Sequence, residues 1–253
     1  MKKLPLSLVL ITKNEEARIE RCLRSVPFAA DVVVLDSGST DGTAQKARAL
    51  GARVFEEEWR GFGPQRRRAV ELALHDWVLC LDADEALSSE LADEITRRFE
   101  SFDVETAYRF PRLSFHLGRW IRHGGWHPDW QLRLFHRSSA QWSSAPIHEK
   151  VEAAKIESLR GVLQHWVFEN LSHQVMTNDR YSTLQAQELY DRGVRSSLWR
   201  MLIKPKVKFW ECYLLKGGFL DGRAGFIIAV GAAYSVFLKW TKLWELERQG
   251  KSA

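Results

Sequence analysis

Apolar positions follow two rhythms along the first hundred residues. Leu6-Ser-Leu-Val-Leu-Ile11, Asp31-Val-Val-Val-Leu-Asp36 and Asp76-Trp-Val-Leu-Cys-Leu81 are short, continuous apolar runs, the pattern of strands buried on both faces. Between the first two, Ile19, Cys22, Leu23 and Val26 recur at three- and four-residue intervals. That spacing predicts an amphipathic helix, with Asn14 positioned to cap a start near Glu15. Thr43 to Leu50 and Pro64 to Leu74 predict two more helices, and Gly51-Ala-Arg-Val-Phe55 a short strand nearer an edge. The order βαβαβαβ predicts a parallel sheet with right-handed crossovers, a nucleotide-binding class of architecture.

Beyond residue 100 the rhythm changes. Ala107-Tyr-Arg-Phe-Pro-Arg-Leu predicts a strand, and residues 116–150 are rich in Gly, His, Trp and Arg without a steady period. A long irregular segment in a compact chain is often functional. Residues 172–195 predict a helix, and from Gly217 to Leu238 the chain is Gly-rich and apolar. Ala224 to Leu238 is free of charge but short for a hydrocarbon core of roughly 30 Å, and no run of eighteen apolar residues exists, so no ordinary transmembrane helix is expected. Lys204, Lys206, Lys208, Lys216, Lys239 and Lys242 flank this segment, with Trp210, Trp240 and Trp244. An interfacial helix on an anionic leaflet has this composition; so does a buried helix or a dimer contact. The basic start Met-Lys-Lys-Leu-Pro leads into a run that Lys13, Glu15 and Glu16 interrupt. It reads as a buried first strand and not as a signal peptide.

The chain has 253 residues, 45% hydrophobic and 27% charged. This size supports a core without disulfides or metals, and the composition excludes a disordered, collagenous or disulfide-scaffold chain. Cys22, Cys80 and Cys212 lie far apart with no CxxC spacing, so a zinc site or disulfide framework is not expected and a reducing cytosol fits. The net charge of +5 is uneven: residues 195–253 hold 11 Lys/Arg against 4 Asp/Glu, a basic end suited to an anionic surface. Of 11 tryptophans, Trp120, Trp126, Trp130 and Trp142 fall close together, able to stack on sugar faces or to fill a core.

Three strand ends carry candidate chemistry. Leu81-Asp82-Ala-Asp84-Glu85 places two carboxylates just past a buried strand, where open α/β sheets bind ligands and where acids suit a hard divalent cation that neutralises a diphosphate. A solvated loop or a helix cap has the same pattern. Val34-Leu-Asp36-Ser-Gly-Ser39-Thr-Asp41-Gly42-Thr43 ends a strand with an acid and opens a helix through a Gly/Ser turn. Such a turn accepts from a base or ribose while its amides face the ligand, and it also caps a helix. Ile11-Thr12-Lys13-Asn14-Glu15-Glu16 is a third polar strand end.

Together these segments resemble the inverting GT-A glycosyltransferases of family two. The matching elements are Leu8 to Glu16, Val34 to Thr43 and Leu81 to Glu85, in that order. His127-Pro-Asp129-Trp-Gln131-Leu-Arg133-Leu-Phe135, then Pro146-Ile-His148-Glu149 and Gly217-Gly-Phe-Leu-Asp221-Gly-Arg-Ala-Gly225-Phe226, resemble the bacterial lipopolysaccharide inner-core β-1,4-glucosyltransferase branch. The resemblance implies a Rossmann-like GT-A domain with a mixed, mostly parallel sheet over residues 1–195. Residues 1–100 would be its donor half and 101–170 its acceptor half, with a helical, membrane-associating extension over 196–253. It implies a UDP-sugar donor and a Mn²⁺ or Mg²⁺ cofactor.

By the same resemblance, Asp36 would contact uracil, and Thr12, Asn14, Glu15, Glu16 and Ser39 would line the nucleotide site. Asp82 and Ala83 would face the ribose or metal, Asp84 would ligate the metal, and His148 would complete its shell. The basic helix Arg66-Arg67-Arg68 would offer Arg67 or Arg68 to the diphosphate. The family's Gln-x-x-Arg-Trp is absent, since Gln131-Leu-Arg133 lacks an intervening residue and the final Trp. That departure leaves Asp129 and Glu149 as alternatives for the general base. His116, His123, His127 and His165 read as structural or surface groups.

The implied activity moves one hexose, glucose in that branch, onto a lipopolysaccharide core or related glycolipid at the cytoplasmic face of the inner membrane. Two other readings are carried beside it: a sugar nucleotidyltransferase, whose Gly-rich N-terminal loop is missing here, and a non-catalytic binder of anionic polymer or nucleic acid using the basic end.

Overall fold

A computed structural model describes residues 2–143 and 149–249. The alternating region is β1 (Leu4–Thr12), α1 (Ile19–Arg24), β2 (Ala29–Asp36), α2 (Thr43–Ala49), β3 (Arg53–Glu56), α3 (Phe62–Glu71) and β4 (Trp77–Asp82). Next come β5 (Glu85–Leu87), α4 (Ser89–Arg98), β6 (Thr106–His116), β7 (Arg119–Ile121), β8 (Asp129–His136), β9 (Ala140–Trp142), β10 (Val151–Ala153), β11 (Lys155–Ser158) and β12 (Leu163–His165). The chain ends in α5 (Leu171–Asp191), α6 (Leu198–Trp210), a π-helical turn Glu211–Leu215, a 3₁₀ turn Gly218–Asp221, and α7 (Gly222–Gln249).

Two compact units result, and both are discontinuous in sequence. Unit 1 joins Met1–Arg112 to Asp129–His165, and unit 2 joins Leu113–Pro128 to Trp166–Ala253. Helix α5 falls in unit 2 with the C-terminal helices and packs along α7.

In unit 1 the strand order is β3-β2-β1-β4-β8-β6-β12-β5, with β1, β2, β3 and β4 mutually parallel and β8 antiparallel to β4. The short strand β3 is at one edge and β5 at the other. Successive residues alternate between two cores. Leu8, Leu10, Val34, Leu79 and Leu81 lie in one; Val9, Val33, Leu35, Val78 and Cys80 lie in the other. Both faces are covered, so the strands read as continuous apolar runs and not as alternation. Each fully buried Leu or Val is worth roughly 1.5–3 kcal/mol of transfer free energy.

Helix α1 begins at Ile19, with the first residue of its apolar stripe, and not near Glu15 under an Asn14 cap. Asn14 has φ 56°, a left-handed conformation that Asn tolerates better than most residues, and it turns the chain before the helix opens at Ile19. The aperiodic segment 116–150 contains β7, β8 and β9 among its described residues. Strand β8 has mixed exposure along its length, which hides its period.

Unit 2 holds β7 against the end of β6, with Ser114 opposite Ile121, and the helices α5, α6 and α7. Ile121, Ala224, Ile228 and Trp126 form its small buried cluster. The expectation of no membrane-length helix needs correcting. Residues Gly218–Gln249 are helical, and long and apolar enough to cross a membrane by length and composition, because the apolar stretch tolerates isolated charges that break a strict run.

Candidate active site

Parallel pairing brings three strand ends together. Thr12 stands opposite Asp36 and Ile11 opposite Asp82, so the polar ends of β1, β2 and β4 form one row at the carboxyl edge of the sheet. The loops after β1 and β2 are stitched by side chains. The Asn14 and Glu15 amides donate to Ser39 Oγ and Thr43 Oγ1, both at 2.8 Å. Asn14 Oδ1 accepts from the Thr40 amide at 2.8 Å, and Glu16 Oε2 from the Gly42 amide at 2.9 Å.

Asp36 is buried and fully engaged. Its Oδ1 accepts from the amides of Gly38 (3.0 Å) and Ser39 (2.7 Å), and its Oδ2 from the hydroxyls of Thr12 (3.0 Å) and Ser39. Two carboxylate oxygens offer about four acceptor positions. All are taken, so in this structure Asp36 shapes the turn and has none left for a base. Glu15 pairs with Arg18 at 3.2 Å. Burial raises its carboxyl above the usual range; Arg18 opposes this, while Asp84 and Asp82 add to it. Ala83 has its side chain in the core, so any part it takes is through its backbone.

A carboxylate–guanidinium cluster fills the ends of β4, β6 and β8. Asp82 accepts from Arg66 Nη2 at 2.6 Å and from Arg133 Nη2 at 2.7 Å. Glu85 accepts from Arg133 (3.1 Å) and Arg112 (3.2 Å), and takes the Asp82 amide at 3.0 Å. Arg112 places two donors, at 2.9 and 2.7 Å, on Asp129 Oδ2, while Gln131 donates to Oδ1 at 2.9 Å. Arg66 also reaches Glu149 at 3.2 Å. Burial works against the Asp82 charge, but Arg133 and Arg66 override it and hold the carboxyl well below the usual carboxylate range. Burial likewise opposes the Arg133 charge, and Asp82 and Glu85 outweigh it. Asp129 and Glu149 thus enter the same cluster as Asp82. The Asp129 side chain is 40% exposed and that of Glu149 16%.

The arginine turned to this cluster is Arg66. Arg67 donates to the Trp142 carbonyl, and Arg68 is taken by Glu57 at 2.9 Å and Glu71 at 3.2 Å. Helix phase explains the choice. Arg66 shares the inward face of α3 with Gly63 and Ala69, a spacing readable as i−3 and i+3. In this structure Arg67 and Arg68, the two expected at the diphosphate, are held by partners outside the cluster.

Asp84 faces His165, Oδ2 to Nε2 at 3.3 Å, because antiparallel β12 sets His165 opposite Glu85. His148, the expected third ligand, lies outside the described residues. Among the described residues no three His, Cys, Asp or Glu side chains form a metal cluster. A divalent cation at a diphosphate nevertheless needs only one or two carboxylates, with phosphate and water completing its shell. Asp84 and His165 supply an oxygen and an imidazole nitrogen, a set that suits Mn²⁺. The five acids Asp82, Asp84, Glu85, Asp129 and Glu149 exceed the three guanidiniums of Arg66, Arg112 and Arg133 by two negative charges, the charge a dication offsets. The residues fit the metal.

The tryptophans divide. Trp142 is buried, its indole donating to Cys80 Sγ at 3.4 Å. Trp130 is exposed, with Arg109 4.9 Å above its ring. In unit 2, Trp126 stacks on His116 and Trp120 meets Trp166 edge-on. His116 bonds Gln174 at 2.8 Å in the interior, a structural role.

The Gly-Gly-Phe-Leu-Asp-Gly segment is architecture. Buried Asp221 accepts from the amides of Arg122 (3.1 Å) and His123 (2.8 Å). A Cβ on Gly225 would collide with the Gly218 carbonyl oxygen.

The sequence matches the family described as Glycosyl transferase family 2 over residues 7–155. The lipopolysaccharide core biosynthesis glycosyltransferase LpsC of Rhizobium meliloti is 30% identical over 251 residues, 96% of this chain and 93% of that protein. An uncharacterized glycosyltransferase of Rickettsia typhi is 32% identical over 100% of this chain and 90% of its own length. Among solved structures, S. aureus TarS 1–349 in complex with UDP is similar over 99% of this chain and 92% of that one, at 16% identity and TM-score 0.47. Glucosyl-3-phosphoglycerate synthase from Mycobacterium tuberculosis, in complex with Mn²⁺ and UDP, is similar over 45% of this chain and 44% of that one, at 28% identity and TM-score 0.34.

Proposed function

The chain belongs to glycosyl transferase family 2, and from that premise we propose that it moves one hexose, glucose, from a UDP-sugar to a lipopolysaccharide core sugar with inversion at the anomeric carbon. The acceptor class rests on end-to-end similarity to LpsC, which bears a lipopolysaccharide core name. The observation that carries the chemistry is the cluster of Asp82, Asp129 and Glu149 with Arg66, Arg112 and Arg133, together with the Asp84–His165 pair that follows β4.

The acceptor hydroxyl attacks the anomeric carbon as its proton passes to a carboxylate. The bond from that carbon to the β-phosphate oxygen breaks, and its electron pair leaves with UDP. Asp129 is the base in this reading. Arg112 occupies Oδ2, while Oδ1 accepts from the Gln131 amide and keeps an acceptor position for a proton. Glu149 is less exposed and lies against Arg66. Mn²⁺ or Mg²⁺, held by Asp84 and His165, would supply positive charge to the departing diphosphate. Arg66 and Arg133 fix Asp82 and keep it ionised. The preorganised charges act where water is scarce, which makes them worth more than in solvent.

The enzyme would work as a peripheral protein on the cytoplasmic face of the inner membrane, where a lipid-linked acceptor is presented. The deciding experiment is isothermal titration of UDP into the protein with Mn²⁺ and then with EDTA. Binding in Mn²⁺ that EDTA removes supports the reading; absence of binding in both conditions overturns it.

A further inference from the structure

Unit 2 leaves apolar side chains on its surface where a soluble helix bundle buries them. Helix α6 has no buried residue at all. From its last turn into the first turn of α7, Trp210, Leu214, Leu215, Phe219, Leu220 and Phe226 are each about half exposed or more, Leu215 at 84%. Ring contacts through Phe209 and Tyr213 join Trp210, Phe219 and Phe226, and the three leucines adjoin them in sequence. Phe209 meets Trp210 and Phe226 edge-on at 5.1 and 5.9 Å, and Tyr213 bridges Phe219 and Phe226 at 6.3 and 5.8 Å.

The charges around this patch have one sign. Lys204, Lys206 and Arg223 are exposed. The nearby acid, Glu211, is neutralised by Lys208 at 3.2 Å and Lys216 at 2.6 Å. Lys206 stands one helical turn from Trp210. Protein interfaces deplete lysine at their centres, whereas a bilayer boundary combines Trp, Leu and Phe buried roughly 5–10 Å deep with Lys and Arg at the phosphates.

We propose that this patch seats in the headgroup–acyl boundary of an anionic phospholipid bilayer, with Lys204, Lys206 and Arg223 on the lipid phosphates. The inference rests on the membrane placement proposed above and gives it a surface. Its occupant is lipid, not a second copy of the chain.

Vesicles of phosphatidylglycerol with phosphatidylcholine, and of phosphatidylcholine alone, are sedimented with the full chain. Binding should favour the anionic vesicles by at least about tenfold, and each of K204A and K206A should weaken it about fivefold. L215S/F219S should lose more than about tenfold while its UDP titration stays unchanged. Should that double variant fail to fold, the exposed lysine variants and the loss of the vesicle-induced tryptophan blue shift in W210F carry the test. Vesicle binding that is unchanged in every variant, or absent in the wild type, overturns the proposal. So does a drop in self-association in L215S/F219S without a change in vesicle binding. The vesicle assay contains no nucleotide and the UDP titration no lipid, so a failed UDP titration counts against the transferase reading alone.

Discussion

The two units treat buried charge in opposite ways. In unit 1, Asp82, Glu85, Arg112 and Arg133 are gathered in a shared network in which each group neutralises another. In unit 2, Asp221 is buried and held by the amides of Arg122 and His123, with Arg119 alongside at 3.4 Å, while lysines and arginines stay on the surface. A network of mutually dependent ions carries a large desolvation cost and is weak evidence for stability; it is a place where chemistry is poised. A single carboxylate satisfied by backbone amides is a joint. The same residue type, in equally distinctive sequence motifs, thus marks the proposed reaction centre in one unit and a fixed junction of the backbone in the other.

The sharpest way to break this contrast is at the proposed base. Asp129→Asn should lower turnover by about 10²–10⁴-fold and leave UDP affinity in Mn²⁺ unchanged, because the amide keeps the size of the side chain and one oxygen for Arg112, and loses the charge and basicity that take up the proton. Glu149→Gln should cost far less. Steady-state transfer rates, read beside UDP titration, decide between them. If Glu149→Gln carries the large loss and Asp129→Asn does not, the base is Glu149, and greater exposure does not select the proton acceptor.

The next effect is on stability. Arg133→Met would leave Asp82 with Arg66 alone and Glu85 with Arg112 alone, and removing one partner from a buried ionic network costs about 3–5 kcal/mol. Asp221→Ala instead frees two amides, on exposed Arg122 and half-buried His123, each at the low end of about 1–3 kcal/mol, for about 2 kcal/mol in all. Urea denaturation of both variants measures the difference. A larger loss for Asp221→Ala than for Arg133→Met would mean that the unit 1 network is better solvated than its burial implies.

These contrasts were only partly legible in the sequence. The parallel half of unit 1 could be read because strands covered on both faces need unbroken apolar runs. The run Val32-Val-Val-Leu35 announces such a strand without tertiary information. The approach of His165 to Asp84 could not be read, since it depends on β12 pairing antiparallel with β5 across a long stretch of chain. Arg66 was legible in principle from helix phase, through its three-residue spacing to Gly63 and Ala69, yet three consecutive arginines look alike without that phase. Arg112 and Arg133 lie within β6 and β8, where a charged residue among apolar neighbours such as Leu132 and Leu134 signals a buried pair; the partner's identity is a tertiary fact. In unit 2 the motif around Asp221 was visible but its role was not, because a Gly-rich turn around an acid serves a close backbone approach as readily as a ligand. The apolar face of α6 was visible as composition, and its exposure only as structure.

The smallest expected effect belongs to unit 2 and comes from protonation. His116 is buried against Gln174, Trp126 and Phe168, and burial lowers its pKa from the usual value, partly opposed by the Gln174 hydrogen bond. In the unfolded chain this imidazole takes up a proton near about pH 6.5; in the folded chain it does so only at lower pH. The unfolded state therefore binds more protons between the two values, so stability rises with pH there. The contribution is complete above the unfolded value, is lost as pH falls through the folded one, and levels off below it. His116→Phe keeps an aromatic ring beside Trp126 and Phe168 while removing the titration, so its stability should fall less steeply than the wild type's as pH drops below about 6.5. Denaturation midpoints taken across that interval measure the slope. Parallel slopes in the two proteins would show that His116 titrates normally, and the acid sensitivity of the chain would then trace to its paired carboxylates, Asp82 in unit 1 and Glu211 in unit 2.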